Sequence, residues 1–231
     1  MSTTLHLVLA DAEVERVPPE AQDHPQVRAY AKTVGKRADR VLLDSSHHHA
    51  ALKGLPDGER RGRPDLLHLF LLTALESRLN RAGQLRVHVH TRENRLISID
   101  PTTRLIRHYP RFVGLIEQLF ETGRVPREGT PLLRMEDGVP LAEVVQRTGA
   151  ARAMALEVDG EPVAPGPFTR SLVAHPGDAC VIVGGFPHGT FRTDIRSVAQ
   201  TVVSFGKEPL SVWTIAGEIL AHASAVLVDA A

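Results

Sequence analysis

The chain has 231 residues, with 27 acidic and 27 basic side chains, so no net field announces a nucleic-acid partner. Its length fits one domain of generous size, or one with insertions. A single cysteine, Cys180, allows no internal disulfide. No apolar run reaches the roughly 18 residues a membrane span needs, and Met1-Ser2-Thr3-Thr4 lacks the regions of a signal peptide, so a cytoplasmic protein is expected. The basic side chains are 23 arginines and only 4 lysines. Arginine's planar fork suits phosphate and base stacking, although a GC-rich genome would enrich it equally.

The predicted elements begin with a buried strand at Leu5–Ala10. A proline-containing loop follows, then a helix starting near Pro25, with Val27, Tyr30, Ala31 and Val34 at helical spacing. Val41–Asp44 reads as a second short strand, and the charged stretch from Leu55 to Arg63 as an exposed loop. Pro64 and Asp65 open a helix whose buried face is Leu66, Leu67, Phe70, Leu71, Ala74 and Leu75. Leu85–Thr91 and Leu96–Asp100 alternate apolar and polar residues about Asn94, which predicts a hairpin. Phe112, Leu115, Ile116, Leu119 and Phe120 mark a further helix, and Leu141–Arg147 a short one. Arg152–Val158 is expected to be a strand that ends in a turn at Asp159-Gly160, followed by a short element at Phe168–Val173.

The most informative stretch is Ala179–Phe191, a buried strand that breaks into Gly184-Gly185-Phe186-Pro187-His188-Gly189. A second glycine-containing loop, Ser204–Leu210, precedes an apolar helix from about Ser211 to Ala223. Glycine lets main-chain groups approach a flat ligand without an intervening Cβ, though the same spacing fits two ordinary turns. The alternation of strands and helices predicts an α/β protein with a mostly parallel sheet covered by helices.

Other motifs carry less. His47, His48 and His49 cannot all face one ion from a regular helix or strand, and no cysteine or carboxylate cluster completes a metal site. His88 and His90 share one strand face and read as surface residues. Neither a dinucleotide fingerprint, a P-loop nor a nucleophile elbow is present. Arg60, Arg61 and Arg63 crowd the approach to the Pro64 helix, with Asp65 close enough to orient one of them. Arg104, Arg107 and Arg111 would share a helix face, but Pro110 leaves an extended arm equally open. Such clusters fit either a solvated face or contact with nucleic acid.

Six stretches in order, LLDSSHHH (42–49), RGRPD (61–65), HVHTR (88–92), RFVGLIEQL (111–119), VGGFPHG (183–189) and PLSVWT (209–214), resemble the archaeal and eukaryotic small-subunit rRNA pseudouridine N1-methyltransferases, a branch of the SPOUT superfamily involved in ribosome biogenesis. The resemblance runs from Leu5 to about Leu220. It implies a single SPOUT-like methyltransferase domain over 1–231, with inserted strands and loops, helices on both sheet faces and a C-terminal trefoil knot, an exception to the usual absence of knots. It implies a homodimer that binds S-adenosylmethionine through Leu156, Gly184, Gly189, Phe205, Gly206, Lys207, Glu208, Pro209 and Leu210. Arg63, Arg104, Arg107 and Arg111 would contact small-subunit rRNA, with Asp65 holding Arg63, and ribosome-assembly factors are further expected partners. Gly206 departs from the larger side chain expected of many relatives, and residues 124–140 match weakly, so nothing is carried over there. No metal and no catalytic general base is identified. A non-catalytic rRNA-binding assembly factor is the alternative, which the two glycine loops disfavour.

Overall fold

The structure, a computed structural model, describes residues 3–229; Met1 and Ser2, part of the stretch read for a leader, lie outside the described residues. The strands are β1 (Leu5–Ala12), β2 (Leu85–Thr91), β3 (Arg95–Ile99), β4 (Arg124–Val125), β5 (Leu133–Asp137), β6 (Arg152–Pro162), β7 (Ala179–Gly184) and β8 (Thr201–Ser204). The helices are α1 (Pro19–Gln22), α2 (Pro25–Thr33), α3 (Ser45–Leu52), α4 (Pro64–Leu75), α5 (Arg78–Arg81), α6 (Tyr109–Thr122), α7 (Leu141–Arg147), α8 (Pro165–Ala174) and α9 (Val212–Leu227).

The strands form one sheet in the order β4-β5-β3-β2-β1-β7-β6-β8. From β2 to β8 every pairing is parallel, whereas β3, β5 and β4 extend the sheet antiparallel. Period-two alternation divides the central strands between two cores. Leu5, Leu7 and Leu9 join Ala179, Val181 and Val183 in a core with α4, α6 and α9, while Val8, Ala10, Cys180 and Ile182 face α7. Both faces of β7 are therefore dry, which is why it reads as a continuous apolar run. Cys180 is fully buried there, and burial pushes its thiol up to about 12.

Helix boundaries follow local chemistry. Pro64 occupies the first turn of α4, with Asp65 beside the positive end of the helix dipole. Pro110 sits in the first turn of α6, and Gly123, at φ 69°, closes that helix in the left-handed conformation. Arg104 and Arg107 consequently lie outside α6, on an irregular arm, and Arg111 lies within it.

Four expectations are corrected. Val41–Asp44 is buried but forms no sheet strand; its one bridge pairs Leu42 with Arg16. Asp159-Gly160 does not end β6: the strand bulges there and resumes pairing at Glu161, and glycine is needed at 160 because a Cβ would lie 2.4 Å from the Val203 carbonyl carbon. Residues 55–63 form a loop, but Arg61 is buried in it. His90 is buried as well, between Asp11 and Asn94, and half-buried His88 stacks on His6.

Candidate active site

The carboxyl ends of β6, β7 and β8 open into a cavity of about 150 Å³. In an open parallel sheet this is the end where ligands bind. Leu156, Val183, Val212 and Ile215 supply apolar walls, and the loops 184–191 and 204–210 supply main chain. Eight of the nine residues expected at a cofactor face this cavity: Leu156, Gly184, Gly189, Phe205, Gly206, Glu208, Pro209 and Leu210. Lys207 does not line it. Sequence reasoning missed Phe186, His188, Phe191 and Glu157, although the first three lie inside the very stretch it singled out.

The glycines have different reasons to be there. A Cβ on Gly184 would meet the Phe186 ring at 2.6 Å, and one on Gly185 would meet Ala12 Cα at 2.6 Å. Those two make room for the protein itself. Gly189 turns the loop at φ 85°, a conformation side chains rarely adopt. At Gly206 a Cβ would meet only the Glu208 carbonyl at 4.0 Å, so a larger side chain would have space here. Apolar walls with main-chain donors and acceptors suit a flat organic cofactor. The titratable side chains on the cavity are Glu157, His188 and Glu208. Among the described residues no group of three or more His, Cys, Asp or Glu could hold a metal ion. His48 is instead buried, with Nδ1 accepting the Asp44 N–H at 3.0 Å, and burial lowers its pKa to about 4.

Behind the glycine loop lies a buried ionic network. Glu13 accepts from Arg60 at 2.7 Å and Arg92 at 2.5 Å, and Glu15 accepts from Arg61 at 2.8 and 2.5 Å. Burial raises the Glu13 carboxyl despite the opposing pull of Arg92 and Arg60. Arg60 also reaches the cofactor loop: its Nη1 donates to the Thr190 carbonyl at 3.0 Å, and its guanidinium lies 4.4 Å from the Phe186 ring centre. Asp11 anchors the far side of that loop. Burial alone would raise its pKa, but the neighbouring His90 and the hydrogen bonds from the Thr193 and Arg192 N–H groups outweigh burial and lower it.

Arg63, three residues beyond Arg60, is held by Asp65 in a bidentate pair at 2.8 and 2.7 Å. Arg107 pairs with Glu76 at 2.9 Å, and Arg104 and Arg111 are exposed. The arm carrying Arg104 and Arg107 lies along α4, where His68 Nε2 is 2.8 Å from the Ile106 carbonyl. It ends at Tyr109, whose hydroxyl donates to Asp44 at 2.6 Å. Burial, and then that bond to a carboxylate, raise the Tyr109 pKa far above the usual phenol range.

Fold and cavity place the molecule among α/β enzymes that hold a small organic cofactor over the carboxyl ends of parallel strands. A family model described as EMG1/NEP1 methyltransferase matches residues 7–224. "Ribosomal RNA small subunit methyltransferase Nep1" of Thermococcus kodakarensis is 47% identical over 96% of this chain and 99% of its own length. The protein of the same description from Thermococcus onnurineus is 49% identical over 94% and 96%. A crystal structure of Archaeoglobus fulgidus Nep1 bound to S-adenosylhomocysteine is 34% identical and superposes with a TM-score of 0.83, covering 98% of this chain and 99% of that one. The chain belongs to the EMG1/NEP1 methyltransferase family.

Proposed function

We propose that the protein transfers the methyl group of S-adenosylmethionine to N1 of a pseudouridine in small-subunit rRNA, as a step in ribosome biogenesis. The carrying observation is the main-chain-lined cavity at the ends of β6, β7 and β8, in a chain that shares its fold with a relative bound to S-adenosylhomocysteine. The cofactor's sulfonium already activates the methyl group, so the protein's own task is alignment of the acceptor nitrogen, largely a positioning effect. Leu156, Gly184, Gly189 and the Phe205–Leu210 loop would hold the cofactor, with Phe186 and Ile215 completing the apolar walls. Arg63, kept in one orientation by Asp65, would meet the RNA together with Arg104, Arg107 and Arg111. A target base in an RNA loop can be splayed out of its stack to reach such a cavity.

The order β1-β7-β6-β8, with both glycine loops meeting over the same strand ends, supports a C-terminal trefoil knot as the frame of this site. We read the chain as one catalytic domain that works as a homodimer in the cytoplasm; among the described residues no helix is long and apolar enough to cross a membrane. A purely RNA-binding assembly factor would have no use for the cavity.

Base chemistry makes the test sharp. In uridine N1 is the glycosidic nitrogen and has no proton; in pseudouridine the sugar is joined through carbon, and N1 carries a free N–H. Methylation forms the N1–C bond, breaks the S–C bond and releases that proton. Purified protein should therefore transfer label from S-adenosylmethionine to a hairpin containing pseudouridine and leave the uridine hairpin unlabelled. Label in the uridine hairpin, or on a ribose hydroxyl in either, would replace the N1 assignment with another specificity.

A further inference from the structure

A second and larger cleft lies at the opposite end of the sheet, where β2 begins. It encloses about 770 Å³ between the end of α4, α5 and the arm of residues 101–107. Arg81, Arg86, Arg104 and Arg107 converge on it from three separate stretches of chain. In a chain of zero net charge this is a strong local concentration of guanidinium groups. The nearby carboxylates offset only part of it. Glu76 pairs with Arg107, and Asp100 accepts from Thr102 while also lying near Arg86. Among the described residues, Arg81 and Arg104 have no carboxylate partner.

The walls are held in place. Asn80 donates to the Leu75 carbonyl and to the Pro101 carbonyl, each at 2.9 Å, and so ties the arm to the turn after α4. Arg86 donates to the Gly83 and Leu85 carbonyls at 3.0 and 2.7 Å, which fixes its guanidinium at the rim. The arm then runs from this cleft along α4 to Tyr109, beside Arg63 and Asp65. At 1.5 Å per residue, α4 separates the two places by about 18 Å, a distance a short run of single strand covers.

We propose that this cleft is a second RNA site, one that takes the phosphodiester backbone of single-stranded RNA flanking the target loop, with Arg81 and Arg86 as its distinguishing contacts. The inference rests on the reading of the protein as an RNA methyltransferase. Arg104 and Arg107 then belong to a continuous track that joins the two sites. Planar guanidinium groups without carboxylate partners match phosphate geometry, and the preformed walls reduce the ordering needed on binding.

The test compares a minimal pseudouridine hairpin with the same hairpin carrying a single-stranded 5′ or 3′ extension, using fluorescence anisotropy over a salt series. For the parent protein one extension should tighten binding and steepen the slope of log K against log salt by about 1.4, roughly 0.7 for each of two phosphates. In the double variant Arg81→Ala/Arg86→Ala the extended and minimal hairpins should bind alike. Both side chains are exposed, so the fold should tolerate the change, and a melting curve checks this. A parent that gains nothing from either extension, or a variant that keeps the gain, overturns the proposal and leaves the cleft to another acidic partner such as a protein surface. Methyl transfer to the minimal hairpin by the parent is scored separately. Its failure would count against the catalytic reading alone.

Discussion

Two bidentate Arg–Glu pairs in this molecule have the same chemistry and opposite settings. Arg61 grips Glu15 at 2.8 and 2.5 Å with side-chain exposures of 10% and 1%, whereas Arg107 grips Glu76 at 3.1 and 2.9 Å with exposures of 79% and 47%. In the first pair both charges have left water, so each needs the other to offset its lost hydration. The second pair stays hydrated, is screened by salt and can exchange its carboxylate for a phosphate at little cost. The sequence offers the same residue types in both places. What separates a structural arginine from one free to bind is whether the segment that follows β1 lies against it and supplies the buried carboxylates Glu13 and Glu15.

The difference can be broken most forcefully at Arg61. Replacing Arg61 with Ala leaves Glu15 buried with only the more distant Arg92 at 3.6 Å, and should cost about 3–5 kcal/mol, seen as a large fall in the denaturant midpoint. A small shift would mean that water reaches Glu15. Acid should come next. Burial lowers His48 and His88 to about 4 from the ordinary histidine value of 6.5. The folded state thus binds fewer protons than the unfolded chain between those values. Their contribution to stability is complete above pH 6.5 and lost as the pH falls towards 4. Melts at pH 7 and 5 should show the loss, and His88→Phe should reduce it; a flat profile would mean both rings take up protons in the fold as readily as in the unfolded chain. The smallest effect should come from Arg107→Ala, which should change stability by less than about 1 kcal/mol while weakening RNA binding. Loss of stability comparable to that of Arg61→Ala would erase the distinction between the two pairs.

Much of the fold was legible because its elements carry their own period. The apolar runs of β1 and β7, the broad face of α4 and the Phe112–Phe120 spacing of α6 each bury what the pattern says they bury. The errors fall where burial comes from a distant partner. Arg61 reads as a solvated loop residue until the segment after β1 brings Glu15 to it, and His90 reads as surface until Asp11 closes over it. Val41–Asp44 has the composition of a strand, yet it packs among α2 and α3 with a single bridge instead of a ladder. In the site, the glycine stretch located the cavity, but its neighbours were hidden. Glu157 and Ile215 reach the cavity from β6 and α9, and no local pattern announces that meeting. The short strands β4 and β5 were also invisible, since β4 has only two residues and the alternation in β5 amounts to Leu133 and Met135 alone, too short to stand out.

The solitary thiol of Cys180 makes the molecule its own stability gauge. It sits on β7 between β1 and β6, with both neighbours in parallel register, so no fraying of a loop or an end exposes it. A thiol-reactive dye can reach it only when the centre of the sheet opens. The rate of labelling therefore reports the rarest opening of the chain, and bound cofactor should slow it in proportion to how tightly the strand ends are clamped.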